Sequence, residues 1–434
     1  MENEHHSDRR KRDEQLTMTT AHASLDLGHP RQIEPVPRVS IQAFCESPEV
    51  ASLVSQAVAD RRMTKVHAKQ NMGGAAAAVE AYRNAPTPNV IVLEAPDHRE
   101  TLLRQLETLA QYCDTGTKVV IIGRMNDIVL YRQLIARGVS EYLVAPFDVV
   151  DFIHVISTLF RAPGAKPLGR IVAVVGAKGG VGASTVAHNL AWRLSTITEM
   201  ATIIADFDLA FGTAALDFNQ DPPQGVAEAV FAPERVDTVF LDRLLSKCGD
   251  NLNLLAAPAM LDRVPDFPDN SFDSLLDVMR ASTPWTVLDI PHVWTGWARR
   301  VLVSADDVIV VAHPDLANLR NVKNLLDALR AGRQHDSPPK LILNGVRMPR
   351  RPEIQSSEFG KTVDLQPIAT IPHDAKLFGS AANNGQMIAE VEPKGKAAEI
   401  LSDLAYAIAG HSDSRKARRG ILDPLVATFT RAKS

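Results

Sequence analysis

Apolar and polar positions alternate in blocks along this chain, and the blocks predict two successive α/β stretches. Between 38 and 160, apolar runs at VSIQAF (39–44), TKVHAK (64–69), NVIVLEA (89–95), KVVIIG (118–123) and EYLVAP (141–146) predict strands. Segments of helical spacing at 48–61, 73–83, 98–112, 127–137 and 148–160 follow them. Strands buried on both faces read as unbroken apolar runs, so five βα units predict a parallel sheet with helices on each side. RAPGAKPLG (161–169) has Pro and Gly without apolar period and reads as a linker. A longer stretch, 170–410, repeats the pattern with strands at 171–177, 201–208, 252–258, 285–291, 307–313, 340–346 and 366–372. Residues 1–37 are polar and charged, end in prolines, and read as a disordered arm. Their histidines, His5, His6, His22 and His29, have nothing to hold them at ligand geometry and read as solvated.

Composition narrows the class. With 45% hydrophobic and 23% charged residues in 434, the chain has material for large cores. Aromatics at 5% favour aliphatic α/β packing over a β-sandwich. The net charge of −4 argues against a globally basic nucleic-acid binder, but it hides an asymmetry. Residues 1–37 carry −2 and residues 411–434 carry +4, which leaves −6 on the middle. The three cysteines, Cys45, Cys113 and Cys248, form no CxxC pair and no disulfide framework, so a reducing cytoplasm is expected. The charged N-terminus has no apolar signal core, and no apolar run is long enough to predict a membrane-spanning helix.

The strongest chemical signal is IVAVVGAKGGVGASTVAHNLAWRL (171–194), an apolar strand, a glycine-rich turn and a helix in sequence. Gly179, Gly180 and Gly182 let backbone N–H groups approach a polyphosphate, and the helix N-terminus favours anions. Ser184 stands where a Mg2+-binding hydroxyl is expected, with Thr185 beside it. The general phosphate-loop pattern is incomplete, since Ala177 replaces its first glycine and Ala183 its lysine. Lys178 lies early in the loop instead, and KGGVG-x-[ST] resembles the deviant phosphate loop of the ParA/MinD family. The resemblance implies ATP and Mg2+ as cofactors, held by Lys178, Gly179, Gly180, Val181, Gly182, Ala183, Ser184 and Thr185. It also implies that Lys178 reaches the phosphates of a partner subunit in an ATP-dependent homodimer.

Further landmarks follow in the family's order. ADFDLAFGTAALDF (205–218) resembles its first switch, with Asp206 supporting Mg2+ and Asp208 orienting the attacking water. VLDIP (287–291) resembles the Walker B strand, with Asp289 holding the Mg2+ water shell. His292 stands where the family often has glycine. Asn344, at the end of LILNGV, matches the adenine-reading asparagine, and Pro372, His373 and Asp374 match the segment beside the base. Loss of the lysine at position 183 removes positive charge from the β/γ-phosphates and predicts slow turnover or none. A nucleotide-binding scaffold without hydrolysis therefore stays open.

The stretch 38–160 resembles a receiver domain whose chemistry is missing. Its third strand ends in Glu94 where a phosphorylatable Asp belongs, and Glu46 is the one acid after the first strand. Gly123 replaces the Ser/Thr, and Ala145 the lysine before Pro146. A flavodoxin-like pseudo-receiver for docking or dimerisation is expected. After RKARR (415–419), Ile421, Leu425 and Phe429 recur at helical spacing and predict a basic amphipathic tail at 411–434, for membrane contact or for docking on the protein.

Pseudo-receiver followed by MinD-like ATPase resembles the CpaE/TadZ family. That resemblance implies a cytoplasmic localisation factor for Flp-type pili, at the inner face of the membrane or the cell pole, with pilus secretion and assembly components as partners. No specific DNA binding is expected. A ParA-like DNA partition ATPase remains the rival; ATP-loaded protein would then shift duplex DNA with steep salt dependence. A nitrogenase-type reductase is disfavoured because Cys248 is the single cysteine of 170–410.

Overall fold

A computed structural model of the chain describes residues 33–410 apart from 96–97, 163, 259–260 and 262–266. The expected tail at 411–434 and the arm up to residue 32 lie outside the described residues. Strands β1 (Ser40–Cys45), β2 (His67–Met72), β3 (Val90–Glu94), β4 (Lys118–Gly123) and β5 (Glu141–Val144) form one parallel sheet in the order β2-β1-β3-β4-β5. This is the flavodoxin-like order. Helices Pro48–Val58 and Val149–Thr158 cover one face, and Gly74–Tyr82, Arg99–Ala110 and Ile128–Ala136 the other.

Eight further strands make the second sheet: β6 (Arg170–Gly176), β7 (Thr202–Asp206), β8 (Ser246–Lys247), β9 (Leu252–Leu255), β10 (Trp285–Ile290), β11 (Asp307–Ala312), β12 (Lys340–Val346) and β13 (Pro367–Pro372). Their order is β13-β12-β11-β6-β10-β7-β9-β8, parallel throughout except for the antiparallel pair β8–β9. Residues of β6 alternate between two cores, Ile171, Ala173 and Val175 on one face, Val172 and Val174 on the other. The sheet centre is therefore fully buried, and its C-terminal strand ends converge where β6, β7 and β10 lie side by side.

Two sequence expectations shift, and one strand was not foreseen. The second strand runs at 67–72 and not 64–69, because a short helical turn, Arg61–Met63, occupies the approach and Val66 N donates to Met63 O at 2.9 Å. The two-residue β8 is too short to show alternation. The end of the expected disordered arm is ordered: Ile33 and Val36 are buried in the first sheet's core, and Val36 N donates to Arg62 O at 2.8 Å. Burying two aliphatic side chains contributes about 3 kcal/mol. A chain starting at residue 38 is expected to be less stable by about that much than one starting at 33, in urea titrations of the two.

Both sheets belong to one compact unit that begins at Ile33. A buried ion cluster joins their layers. Arg61 Nε donates to Asp336 Oδ2 at 2.6 Å and Arg61 Nη1 to the Ser304 carbonyl at 2.8 Å. Arg62 also pairs with Asp336, and holds Asp60 at 3.0 Å. Among the described residues, no helix is long and apolar enough to cross a membrane.

Candidate nucleotide site

β6 ends at Gly176, and the next helix begins at Ala183, so the loop between them is six residues. Gly180 and Gly182 sit at φ +77° and +81°, which L side chains rarely adopt. Gly182 is also tightly enclosed: a Cβ there would meet Asn344 Nδ2 at 2.4 Å. Val181 is buried and anchors the loop, while Lys178, Gly179 and Gly180 are exposed. Ala183, Ser184 and Thr185 form the half-buried first turn of helix Ala183–Thr198. Two side chains fix the loop from outside it. Asn344 Nδ2 donates to Val181 O and Asn321 Nδ2 to Ala177 O, each at 2.8 Å.

Asn344 therefore faces the loop, and its Oδ1 accepts Gly345 N at 2.9 Å. Its amide is used on both ends by the chain, which makes loop support its visible role; base reading is an expectation of the resemblance alone. Pro372 closes β13, His373 N donates to Val346 O at 2.8 Å, and Asp374 caps helix Ala375–Asn384 through Leu377 N at 2.9 Å. His292 lies against the loop, 3.1 Å from where a Gly179 Cβ would stand.

The acids meet at the strand ends. Asp206 and Asp289 are register partners on β7 and β10, and both are buried. Asp206 Oδ1 accepts Asp208 N at 3.0 Å and Oδ2 accepts Ala214 N at 3.1 Å, so it organises the following segment. Burial, and then the charge of Asp289, push the Asp206 carboxyl well above its usual range, although His188 partly offsets this. Asp208 is half-buried and its Oδ1 accepts Phe211 N at 3.0 Å, a turn-closing bond.

Sequence reading missed His188. It is fully buried, one helical turn after Ser184. Its Nδ1 lies 2.7 Å from Asp217 Oδ2, and its Nε2 approaches Asp289 Oδ2 at 3.4 Å, an ion-pair distance without a well-directed hydrogen bond. Burial alone would lower its pKa; the hydrogen bond to Asp217 and the charges of Asp289 and Asp217 outweigh that and push it up to about 10. Ligand atoms of His188, Asp206 and Asp289 lie within 4.8 Å of one another.

The glycine loop with Ser184, Asp206 and Asp289 fits a Mg2+–polyphosphate. Burial and the neighbouring Asp289 raise the Asp206 pKa, which a bound cation would offset, and the glycines leave a side-chain-free cradle beside the pair. In the first sheet, Glu94 is satisfied internally. Its Oε2 accepts Glu46 N and Ser47 N at 2.7 and 2.8 Å, and its Oε1 accepts the Ser47 hydroxyl at 2.7 Å. The acceptor position of a receiver thus serves here as a turn cap. All three cysteines are free.

No family model matches the chain. The septum site-determining protein MinD of Helicobacter pylori is 25% identical over 276 residues, 60% of this chain and 99% of that protein. A ParA-family ATPase structure from Chlorobium tepidum is 24% identical over 55% of this chain and 98% of its own, with a TM-score of 0.50, which shows the shared fold. The pilus assembly protein CpaE of Caulobacter crescentus is 46% identical over 30% of this chain, in the N-terminal region, and 98% of its own solved chain, with a TM-score of 0.29. Sequence identity across nearly that entire solved chain carries the kinship, and with it this protein belongs to the CpaE-type ParA/MinD family.

Proposed function

We propose that this chain binds ATP with Mg2+ at loop 177–185 and dimerises on it, acting as a localisation factor for assembly of Flp-type pili. The observation that carries the reading is the meeting of the glycine loop with Asp206 and Asp289 at adjacent strand ends. In this reading, backbone N–H groups of 179–184 bind phosphates, and Ser184, Asp206 and Asp289 hold Mg2+, which supplies charge neutralisation at the phosphates. Pro372, His373 and Asp374 border the base. Lys178 is exposed on the loop, as a lysine acting on a second copy must be. Phe211, Leu216, Val293 and Trp294 are large apolar residues left exposed after Asp208 and Pro291, and a second copy would cover them.

Asp208 is the candidate for orienting water. Its carboxylate already closes a turn onto Phe211 N, and Ala183 offers no cation to the phosphates. Those two observations favour a second reading, a nucleotide-binding scaffold that turns over slowly or not at all. Peripheral membrane contact through 411–434, cytoplasmic location at a pole, and pilus assembly components as partners are parts of the same proposal.

Sedimentation with ATP tests it. Wild type is expected to become a dimer with Mg·ATP and remain a monomer with ADP. Lys178→Ala is expected to keep ATP affinity within about threefold and to dimerise at least about tenfold more weakly, the loss of a charge-assisted contact. Absence of ATP affinity in wild type would sink the proposal; undisturbed dimerisation of Lys178→Ala would remove the cross-subunit role.

A further inference from the structure

The helix that follows the phosphate loop carries a polar side chain in a position the fold does not require. The residues next to His188 on the buried face, Ala187, Leu190 and Ala191, are apolar and fill the core. His188 instead reaches both ways across the site. On one side is Asp217, the last residue of the short helix Ala214–Asp217, whose first residue is held by Asp206 through Ala214 N. On the other is Asp289, at the end of β10. Phe218, the next residue, packs its ring 5.7 Å from the imidazole.

We propose that His188 is a positioning residue that yokes the segment Asp208–Asp217 to Asp289, so that occupancy of the phosphate loop is reported to the exposed face carrying Phe211 and Leu216. The inference rests on the nucleotide-binding reading and adds to it the element that transmits.

The geometry supports transmission more than simple filling. Each end of the imidazole touches an acid on a different element. One acid, Asp289, stands among the groups that hold the cation; the other, Asp217, is partly exposed and sits beside Leu216, which is 70% exposed. Movement of Asp289 toward a ligand changes the 3.4 Å contact at Nε2 without breaking the 2.7 Å contact at Nδ1. A rigid ring is suited to pass such a shift on, because its two nitrogens keep a fixed separation. A second route to β10 runs through the backbone at the segment's start, where Asp208 N and Ala214 N bind Asp206, the register partner of Asp289, and Phe207 N donates to Asp289 O at 2.9 Å; His188 is the side-chain link from the segment's far end at Asp217.

Two substitutions separate the arms. Asparagine places its amide nitrogen near imidazole Nδ1 and keeps the Asp217 arm; glutamine places it near Nε2 and keeps the Asp289 arm. The readout is amide hydrogen exchange across 211–218 in the full-length protein, without ligand and with Mg·ADP, together with Mg·ADP affinity and thermal melting. Wild type is expected to slow exchange at these amides about tenfold on binding Mg·ADP. His188→Asn and His188→Gln are each expected to lose most of that slowing while keeping affinity within about threefold and melting within a few degrees. Slowing that persists in both variants, or that is absent from wild type with Mg·ADP bound, would overturn the yoke. So would affinity that falls in step with the slowing, which marks a residue of the binding site itself. If wild type binds no Mg·ADP, the nucleotide reading fails, and the bridge is judged in the ligand-free protein. There His188→Asn and His188→Gln must exchange these amides about tenfold faster than wild type, and equal rates refute it.

Discussion

Replacing Asp336 by alanine is expected to destabilise the protein by about 3–5 kcal/mol, because it leaves buried guanidinium groups without their shared carboxylate. Asp336 receives Arg61 at 2.6 Å, pairs also with Arg62, and has Arg333 at 3.8 Å; all four side chains are nearly excluded from water. Arg61 and Arg62 come from the turn after the first sheet's opening helix, and Asp336 from the loop after helix Leu316–Gly332 of the second sheet. The substitution therefore removes the centre of the polar tie between the two layers, leaving Arg61 on the Ser304 carbonyl and near Asp306, and unfolding is expected to lose its single transition. All four tryptophans, Trp192, Trp285, Trp294 and Trp297, lie on the second-sheet side. Their fluorescence in urea is expected to lag behind far-ultraviolet circular dichroism in Asp336→Ala and to coincide with it in wild type. An exposed pair gives the control. Arg83→Ala, which loses Glu80, is expected to change stability by less than about 0.5 kcal/mol. Coincident curves in Asp336→Ala would show that the remaining contacts suffice to join the layers.

The same carboxylate sets an acid limit. Burial alone would raise its pKa, but the hydrogen bond and charge of Arg61, with Arg333 and Arg62, hold it below the ordinary 3.8. A depressed folded-state pKa gives stability that is present above 3.8 and lost as pH falls through the folded value. Wild type is accordingly expected to lose stability more steeply than Asp336→Ala below about pH 4.

How much of this was legible in the sequence depends on what each residue faces. Strands such as Lys118–Gly123 and Lys340–Val346 match their predicted bounds to the residue, because burial of their middles on both faces gives an unbroken apolar stretch after the opening lysine. The edge strand His67–Met72 is polar on both faces, so the sequence offered Val66 as a false centre. Ile33 and Val36 stand among prolines and charges without any period, and only the fold shows that they are core. The loop glycines, Asp206 and Asp289 were visible because they stand at the ends of apolar strands, the glycines within a strand–turn–helix unit of recognisable spacing. His188 was not. On a helical face it reads as one polar interruption, and its meaning comes from Asp217 and Asp289, which only the sheet order brings beside it. Asn344 was singled out as a base reader, and its bond to Val181 O went unforeseen, since strand position alone does not tell which neighbour an amide meets.

Gly182→Ala is expected to abolish productive nucleotide binding while leaving the protein folded. Two separate costs fall on the added methyl. At φ +81° an L-residue costs about 1–2 kcal/mol, and the Cβ would stand 2.4 Å from Asn344 Nδ2. Asn344 must then leave Val181 O, the bond that fixes the loop's buried anchor, and the N–H groups that follow lose their common aim. Asn344→Ala separates the two costs, since it removes the clamp without backbone strain. It is expected to weaken Mg·ATP binding about tenfold, the scale of one hydrogen bond, against about a hundredfold or more for Gly182→Ala. Gly379→Ala serves as the control, because that glycine lies exposed inside helix Ala375–Asn384 with nothing within 4 Å of the added carbon. It is expected to leave binding unchanged and to raise stability by about 0.5–1 kcal/mol. If Gly182→Ala binds Mg·ATP like wild type in calorimetry, the loop is not a phosphate cradle, because no polyphosphate bound through these amides tolerates both a displaced Asn344 and a strained residue 182.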